Sequence, residues 1–329
     1  MSNDNKYAPG VLLALLLLIS GHGWASEVAE GKQETIYVTA AILDVDAINS
    51  AEQNFTINMF VKFRWTDPKL AHDGDDHIRR NLADIEAPRV LLLNRQKSWS
   101  SMLDVVDVSP EGDVEYSGHL WGDFSQPMDL QKFPFDSHTL EIPIIALSSS
   151  GKPTVLLPDP AEESFMADRL SVADWRIQEL QGKSRDIKLS RKNDAHGFVL
   201  TFRAERIYFH YLIKFIIPLI LISAMSWVVF WIDPTETGSQ LSVAVTAVLT
   251  LIAYHIALTG KLPDIPYLTR MDLFLFGSTL LVFSALIEVV FTSRLAKTGR
   301  LEIARKIDLA CRPLFPVFYV LIATISLRW

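Results

Sequence analysis

The chain has 329 residues, of which 49% are hydrophobic and 21% charged, and its formal net charge at pH 7 is −7. This acidic balance, with no run of basic residues, argues against a nucleic-acid partner, and the single cysteine, Cys311, excludes an intrachain disulfide. The length allows two domains, and the composition changes from polar to continuously apolar between Arg206 and Tyr211.

The first 25 residues have the pattern of a secretory signal. Lys6 precedes an apolar run from Val11 to Ser20, and the small residues Gly23 and Ala25 follow it. The run is too short to span a bilayer comfortably, so the pattern predicts removal near Ala25 and export of the segment that follows. Since that segment has no cysteine, packing alone must hold it together.

Residues 26–207 predict an extracellular all-β domain. In the segment FTINMFVKFRW, apolar side chains occupy every second position from Phe55 to Trp65, which is typical of a half-buried strand. Similar runs follow, separated by turn signals such as Pro110–Asp113, and bring the total to about ten strands. This number and spacing predict a β-sandwich.

Residues 208–329 predict a transmembrane four-helix bundle. The apolar segments cover about residues 208–231, 238–260, 271–293 and 308–327, each close to the roughly 20 residues that cross a bilayer. The connection Arg294–Asp308 carries five basic and two acidic residues, which predicts a cytoplasmic location. Counting spans backwards then places the β-domain outside, as the signal does. The predicted location is the plasma (inner) membrane, with several spans and an extracytoplasmic N-terminal domain.

The second span contains hydroxyl side chains that a lipid-facing helix does not need. At about 100° per residue, five residues between Ser242 and Ile256 form a narrow stripe within about 40° of Ser242: Ser242, Thr246, Leu249, Ala253 and Ile256. Small and hydroxyl residues are typical of a packing seam between membrane helices, which the segment taken alone favours. The same stripe fits a pore lining, in which hydroxyls replace part of an ion's hydration and Leu249 and Ile256 exclude water.

Motifs elsewhere in the chain decide between seam and pore. Phe133, Pro134, Phe135 and Asp136 form the sequence FPFD, and the segments Trp65–Leu70, Arg203–Leu221 (with Arg206 and Pro218), the second span and Leu262–Thr269 follow one another in order. Together they resemble the pentameric ligand-gated ion channels, which comprise the Cys-loop receptors and their bacterial relatives. Two cysteines bridge the FPFD loop in the receptors. Gln126 and Leu140 occupy those positions here, as expected for the bacterial branch.

The resemblance implies a homopentamer around a central pore. Rings of β-sandwiches sit on the membrane domain, the second helices line the pore with the five stripe residues, and Leu249 forms the central gate. The implied partners are membrane lipid, permeant ions and an agonist, without a cofactor. No nucleophile–base spacing or phosphate loop indicates an enzyme. The alternative is a membrane-anchored small-molecule sensor that does not conduct.

Ion selectivity is predicted from the loop before the second span. Cation-selective receptors resembling this chain carry a glutamate directly after the glycine that opens the span, where this chain has Ser239. Asp233 and Glu236 lie in the preceding loop, and five copies would attract cations to the cytoplasmic mouth. In one subunit the same residues fit ordinary solvated charge. We predict selectivity for monovalent cations, with Glu236 contributing more than Asp233.

The resemblance pairs Asp136 with Arg206 at the junction between the domains, where Phe133, Pro134 and Phe135 complete the loop. Breaking a pair from which water is partly excluded leaves an uncompensated charge, at a cost of roughly 3–5 kcal/mol. The alternative is a purely structural pair, and such a pair at a moving interface would serve both roles. Pro263 and Pro266 stiffen the linker beneath this loop. We expect the linker to relay strand motion to the pore helix.

The agonist is less well defined. Amine-binding members of the family hold an ammonium group in a box of aromatic rings, but the segments that match the box loops here have no aromatic residue before Phe198. Trp99 and Phe198 are the remaining ligand-binding candidates, since Trp175 is expected to pack in the sandwich. A small molecule and a proton both remain open as the stimulus.

Two ionisable residues inside the spans are candidate pH sensors. A titratable group at that depth is a functional candidate by default, and histidine titrates nearest to neutral pH. The residues are His255 in the second span and Glu288 in the third. A neutral histidine bonded to a neighbouring helix is the alternative for His255. Gln53 lies where a proton-gated bacterial relative has glutamate, which argues against identical acid sensing.

One acidic loop is a candidate site for modulation by a divalent cation. Carboxylates and imidazoles cluster there and include ligand types for calcium and zinc, although such loops are usually solvated turns. The cluster consists of His72, Asp73, Asp75, Asp76 and His77.

Overall fold

The computed structural model describes residues 34–100, 104–147, 153–189, 194–259 and 265–327. The predicted signal segment and Pro263 lie outside these ranges. Twelve strands come first, and their bounds are β1 (Glu34–Asn49), β2 (Asn54–Thr66), β3 (Ile78–Asn81), β4 (Arg89–Leu92), β5 (Arg95–Ser100), β6 (Val105–Val108), β7 (Asp113–Ser125), β8 (Ser137–Leu147), β9 (Thr154–Pro158), β10 (Phe165–Met166), β11 (Trp175–Lys188) and β12 (Asp194–Arg206).

The strands form two sheets. The larger sheet has eight strands in the order β10–β1–β2–β7–β6–β3, with β5 also pairing β7 and β9 also pairing β1. The smaller sheet has the order β11–β12–β8–β4. Aromatic rings join the two sheets: Phe55 of β2 stacks on Phe124 at 5.6 Å and meets Phe202 of β12 edge-on at 5.8 Å. The predicted β-sandwich is confirmed.

The alternation in β2 sets which residues enter the core. Its buried side chains are Phe55, Ile57, Met59, Val61, Phe63 and Trp65, the six that the period of two selects. Three short strands escaped prediction. In β3 (IRRN) only Ile78 is apolar and in β5 (RQKSWS) only Trp99 is apolar, so no alternation is visible, and β10 has only two residues.

Four helices follow, each long and apolar enough to cross a membrane: α1 (Phe209–Trp231), α2 (Thr237–Thr259), α3 (Arg270–Lys297) and α4 (Leu301–Leu327). The first is continuous but includes a π-helical turn at Leu212–Ile216 and ends in a 3₁₀ turn at Val228–Trp231. A capping box begins α3, because the Thr269 hydroxyl accepts from the Asp272 amide at 3.1 Å and the Asp272 carboxylate accepts from the Thr269 amide at 2.9 Å.

The connection between α3 and α4 is shorter than the sequence predicts. The basic segment Arg294–Asp308 was expected to be a loop, whereas α3 continues to Lys297 and α4 begins at Leu301. Lysine, arginine and glutamate are good helix formers, so charge alone did not end the helix. Gly299, with φ of 80°, provides the turn.

Candidate functional site

One face of α2 is open in the single chain. Leu249 is 60% exposed and Ile256 is 72% exposed, and the other three members of the predicted stripe, Ser242, Thr246 and Ala253, are exposed as well. The opposite face packs into the bundle through Ala244, Ala247, Val248, Leu251 and Leu258. The stripe is therefore not a packing seam within one chain. It is available to water or to another subunit.

The threonine hydroxyls of α2 already donate their protons to the helix itself. Thr246 Oγ1 donates to the carbonyl of Ser242 at 2.7 Å, and Thr250 Oγ1 donates to the carbonyl of Thr246 at 2.8 Å. A hydroxyl whose proton is used in this way presents only oxygen lone pairs to its surroundings. Those lone pairs suit a cation better than an anion.

Gln240 joins the start of α2 to the end of α1. Its side chain is fully buried, and Nε2 donates to the carbonyls of Val229 at 3.3 Å and Ile232 at 3.0 Å. These bonds tie the start of α2 to the end of α1 and the residue that follows it. Glu236 and Ser239, which precede Gln240, are both exposed.

Asp233 is paired with a basic residue of another helix, which the sequence did not predict. Its Oδ2 accepts from Arg305 Nη2 of α4 at 2.7 Å. Hydrogen bonds from the backbone and hydroxyl of Thr235, followed by the contact with Arg305, lower the pKa of the Asp233 carboxyl to about 2. Asp233 is thus ionised but paired with a cation, so its charge is largely offset, which leaves Glu236 as the stronger of the two candidates.

Asp136 and Arg206 form a buried bidentate ion pair at the junction of the two domains. Arg206 Nε lies 2.7 Å from Oδ1 and Nη2 lies 2.9 Å from Oδ2, and both side chains are almost entirely excluded from solvent. Burial raises the pKa of the Asp136 carboxyl, but hydrogen bonds from His138 and then Arg206 outweigh burial and hold it below its ordinary value. The pair is therefore charged at neutral pH.

Aromatic rings and a hydroxyl enclose the Arg206 guanidinium. Its Cζ lies 4.1 Å from the ring centre of Trp175, 5.0 Å from that of Phe133 and 5.8 Å from that of Tyr211. Nη2 also donates to Ser50 Oγ at 2.6 Å. The arginine thereby links the β1–β2 turn, the FPFD loop, β11 and the first turn of α1 in one contact set. Trp175 packs in the sandwich as expected and also covers this charge.

The FPFD loop contacts the segment that precedes α3. The amide of Leu130 donates to Tyr267 Oη at 3.0 Å, and the amide of Arg270 donates to the carbonyl of Gln131 at 3.1 Å. Pro266 is exposed beside Tyr267. The loop lacks a disulfide, and Gln126 closes it instead by accepting from the amide of Glu141 at 3.3 Å. The loop is thus bonded directly to the end of the linker.

The two intramembrane pH candidates lie away from the stripe. His255 Nε2 lies 3.2 Å from the hydroxyl of Thr279 on α3, which agrees with the alternative that it bonds a neighbouring helix. Glu288 and Asp308 of α4 interact electrostatically. All four of their carboxyl oxygens are buried without a hydrogen-bond partner among the residues that the structure describes.

The two ligand-binding candidates, Phe198 and Trp99, differ in their exposure to solvent. Phe198 was a candidate, but its side chain is 0% exposed. It fills the core against Gly182, where an added Cβ would approach the Phe198 Cζ to 2.3 Å, so Phe198 cannot contact an agonist. Trp99 is 52% exposed and lies 4.7 Å from the ring of Trp121, whose indole N–H donates to the carboxylate of Asp46.

The acidic loop is not arranged as a metal site. Within the described ranges, no group of three or more His, Cys, Asp or Glu residues is placed to hold a metal ion. His72 instead accepts from the amide of Gly74 through Nδ1 at 3.2 Å and lies 3.3 Å from the carbonyl of Val108 through Nε2. His72 therefore stabilises the turn, and Asp73, Asp75, Asp76 and His77 do not converge on a common point.

Sequence reasoning missed several residues of these sites, namely Ser50, His138, Trp121, Tyr267, Arg305 and Asp308. Most lie on elements far along the chain from their partners, so spacing gives no signal. His138 is the exception, because it lies only two residues after Asp136, at the start of β8. That spacing predicts proximity to the pair, and Nε2 lies 2.8 Å from Asp136 Oδ2.

Two family models match the chain. The neurotransmitter-gated ion-channel ligand binding domain matches residues 23–212, and the neurotransmitter-gated ion-channel transmembrane region matches residues 215–301. The two matches cover the sandwich and most of the helical bundle. The chain therefore belongs to the family of neurotransmitter-gated ion channels, whose members are pentameric ligand-gated channels and not enzymes. It is a membrane protein with a large N-terminal extracellular domain before four spans.

Named relatives come from both bacteria and animals. The chain is 26% identical over 292 residues to the proton-gated ion channel of Gloeobacter violaceus, covering 87% of this chain and 80% of that protein. It is 26% identical over 272 residues to the gamma-aminobutyric acid receptor subunit beta-4 of Gallus gallus and 24% identical over 284 residues to the rho-2 subunit of Homo sapiens. The chain spans only 56% and 61% of those two receptor subunits.

Proposed function

We propose that the chain forms a homopentameric, cation-selective channel that an extracellular stimulus opens. The observation that carries this proposal is the exposed stripe on α2, because four apolar spans leave Leu249 and Ile256 uncovered within one chain. Five copies arranged with their α2 helices inward turn the stripe into a continuous lining. Rings of Leu249 and Ile256 then close the path by excluding water.

Cation selectivity is supported by two features of α2 and the loop before it. The hydroxyl of Thr246 donates inward to its own helix, so the lining presents oxygen acceptors to a permeating ion. Glu236 is exposed one residue before α2 begins, and a ring of such carboxylates concentrates monovalent cations at the cytoplasmic mouth. Asp233 contributes less because Arg305 is bound to it.

Opening requires that the sandwich pull on the pore helix. The Asp136–Arg206 pair holds the FPFD loop, and the loop is bonded to Tyr267 and Arg270 at the outer end of α3. Displacement of the sandwich therefore moves the linker between α2 and α3, which includes Pro266. We infer that this linker draws the outer half of α2 away from the pore axis and separates the Leu249 rings.

Protons are one candidate stimulus, because His138 contacts the ion pair directly. Its Nε2 lies 2.8 Å from Asp136 Oδ2, at the ion pair that joins the two domains. His255 and Glu288 remain further candidates inside the bundle. The relative in Gloeobacter violaceus is described as proton-gated.

A small organic cation is the second candidate stimulus. Trp99 and Trp121 present adjacent rings on the outer face of the larger sheet, and the carboxylate of Asp46 lies beside them. Exposed aromatic faces next to a carboxylate attract an ammonium group through cation–π and charge interactions. Substituting Trp121 with alanine would abolish activation by such a ligand and leave activation by protons unchanged.

Reconstitution in liposomes tests the proposal. Sodium and chloride flux would be measured with the purified full-length protein across pH 4–9 and against a library of small amines, at about 0.1 M salt. Stimulated sodium flux without matching chloride flux supports it. Chloride-selective flux would contradict the selectivity, and the absence of any flux together with specific ligand binding would instead identify a non-conducting membrane-anchored sensor.

A further inference from the structure

The end of α1 accepts hydrogen bonds from the side chains of two other helices. The acceptors are the carbonyls of Val229, Phe230 and Ile232. Gln240 of α2 donates to the first and the third of these carbonyls, at 3.3 and 3.0 Å. Arg312 of α4 donates through Nε to the second, at 2.9 Å. These bonds form a clamp that ties the start of α2 and the middle of α4 to the same short segment.

Gln240 has a fixed orientation in the clamp. Its side chain is 0% exposed, and every other buried residue in the described part of α2 is apolar. Both of its partners are carbonyl oxygens, so the amide nitrogen, which alone can donate, must face them. The Oε1 atom has no partner among the residues that the structure describes. The two bonds to the end of α1 are therefore what holds this side chain in place.

Arg312 holds the end of α1 from the side of α4. A guanidinium cation is favourable there, because the last carbonyls of a helix carry partial negative charge. Its Cζ lies 5.5 Å from the ring centre of Trp231. Phe230 is 0% exposed, and its ring lies 4.6 Å from that of Phe315 on α4. The end of α1 is thus attached to α4 through both its backbone and a buried ring.

The clamp encloses the segment that carries Glu236. The amide of Glu236 donates to the carbonyl of Asp233 at 2.8 Å, and its carbonyl accepts from the amide of Gln240 at 3.1 Å. The side-chain bonds from Gln240 to Val229 and Ile232 close a ring around this segment. The Glu236 side chain itself is exposed. The position of its carboxylate therefore depends on a backbone that the clamp holds.

We propose that Gln240 and Arg312 are positioning residues for the carboxylate of Glu236. They hold the end of α1 between α2 and α4, and this end sets the height and rotation of the first turn of α2. The clamp gives α4, which carries no residue of the stripe, an effect on the field at the cytoplasmic mouth. Neither side chain contacts a permeating ion, because each acts through the position of Glu236. This inference rests on the proposed cation-selective pore.

Single-channel sodium conductance of the full-length protein in planar bilayers tests this role. Q240M keeps the size of the side chain but removes its donors, and R312M removes the donor to Phe230. Each is expected to lower the conductance towards that of E236Q. R312K retains a donor and is expected to keep most of the conductance. K306Q removes an exposed charge of α4 outside the clamp and is expected to change little.

Combination with E236Q separates positioning from a general structural role. If Gln240 and Arg312 act through the Glu236 carboxylate, Q240M/E236Q and R312M/E236Q are expected to conduct as E236Q alone does. A further fall in the double variants, equal to the fall in the single variants, would show that the two residues act independently of Glu236 and would overturn the proposal. Q240M decides the question if R312M does not assemble.

Hydrogen exchange in nanodiscs provides a readout that does not require conduction. The amides of Glu236 and Gln240 are expected to exchange faster in Q240M and R312M, because the clamp no longer holds the segment, and to exchange normally in R312K and K306Q. Unchanged exchange in Q240M and R312M would overturn the clamp. Faster exchange together with a chloride-selective current would confirm the clamp and refute the proposed selectivity, so the two failures are distinguishable.

Discussion

The extracellular sandwich and the membrane bundle differ in how completely one chain buries its apolar residues. The sandwich buries its largest side chains within one chain, among them Phe55, Phe124 and Phe202. The bundle leaves Leu249 and Ile256 among its most exposed apolar residues, although they belong to an uninterrupted helix of 23 residues. The sandwich is therefore a self-contained core, whereas the bundle is complete only with lipid and neighbouring copies around it.

This contrast indicates where function resides. Substitutions in a self-contained core change stability first. Substitutions on a face that the chain leaves open change assembly or conduction with little effect on the fold of one subunit. The Asp136–Arg206 junction belongs to both regions, because it is buried like a core and lies where the two regions meet. The predictions below test that division, beginning with the largest expected effect.

Arg206→Gln tests whether the junction behaves as core. It leaves Asp136 buried with an uncompensated charge, and the expected loss is roughly 3–5 kcal/mol in the free energy of unfolding. Denaturant unfolding followed by tryptophan fluorescence measures this loss, since Trp175 lies against the guanidinium.

The matched control for Arg206 lies on the same strand. Arg203 forms an exposed ion pair with Glu205 at 3.1 Å, and such pairs contribute about 0–1 kcal/mol. R203Q is therefore expected to unfold almost as the unsubstituted protein does. Indistinguishable unfolding of R206Q and R203Q would show that the junction is not a buried structural pair.

Leu249→Ser tests whether the open face of α2 is a gate. A polar ring at this position permits water to enter, so sodium flux without stimulus is expected to rise strongly while the unfolding midpoint hardly changes. Ile252→Ser is the control, because Ile252 is also exposed on α2 but lies outside the stripe. A similar leak in both variants would indicate general damage to the helix and no gate.

Arg305→Gln tests the balance of charge at the cytoplasmic mouth. Removing Arg305 releases the Asp233 carboxylate, so single-channel sodium conductance is expected to increase. The increase should be larger at about 0.01 M than at about 0.1 M salt, where screening is stronger. Glu236→Gln is expected to lower the conductance.

Two variants make the Arg305 prediction specific. D233N/R305Q removes both partners and is expected to cancel the increase. K306Q removes an equal charge one residue along α4 and is expected to change little. An increase that persists in D233N/R305Q would mean that Arg305 acts through another group.

The pH dependence of the junction is the smallest expected effect. The pKa of Asp136 is lowered in the folded state. Its contribution to stability is therefore complete above the ordinary aspartate value of about 3.9 and is lost as the pH falls through the lower folded value. Between about pH 5 and 8 Asp136 therefore contributes no change in stability.

His138→Leu removes the hydrogen bond that contributes most to lowering the pKa of the Asp136 carboxyl. Acid unfolding of the variant is therefore expected to begin at a higher pH than in the unsubstituted protein. Thermal unfolding measured at each pH provides the readout. An unchanged acid-unfolding profile in H138L would show that this hydrogen bond does not stabilise the Asp136 carboxylate.

The candidate site was partly predictable from sequence because its pattern repeats locally. The period of two in β2 and the angular stripe in α2 depend only on backbone geometry. The FPFD loop and Arg206 were placed by resemblance, and the structure brings them within hydrogen-bonding distance. Phe198 was predicted wrongly as a ligand residue, because sequence position does not reveal which face of β12 meets the core.

Other features have no local signature. Arg305 lies 72 residues from Asp233, and Arg206 lies 156 residues from Ser50. The short strand β5 pairs with β7 without an alternating pattern, and the rings of Trp99 and Trp121 meet only because those strands are neighbours. Spacing along the chain does not predict such contacts, since they depend on how separate elements pack.

The sequence by itself determined the class of each half, the number of spans, their direction and the residues that share the stripe, because these follow from local periodicity and from the preference of apolar segments for a bilayer. Only the tertiary structure decided which charges are paired. In the folded chain Asp233 is paired with Arg305, aromatic rings surround the Arg206 guanidinium, and the buried Ser293 hydroxyl has no partner among the described residues. Charges act over ångströms in space, and the fold sets those distances.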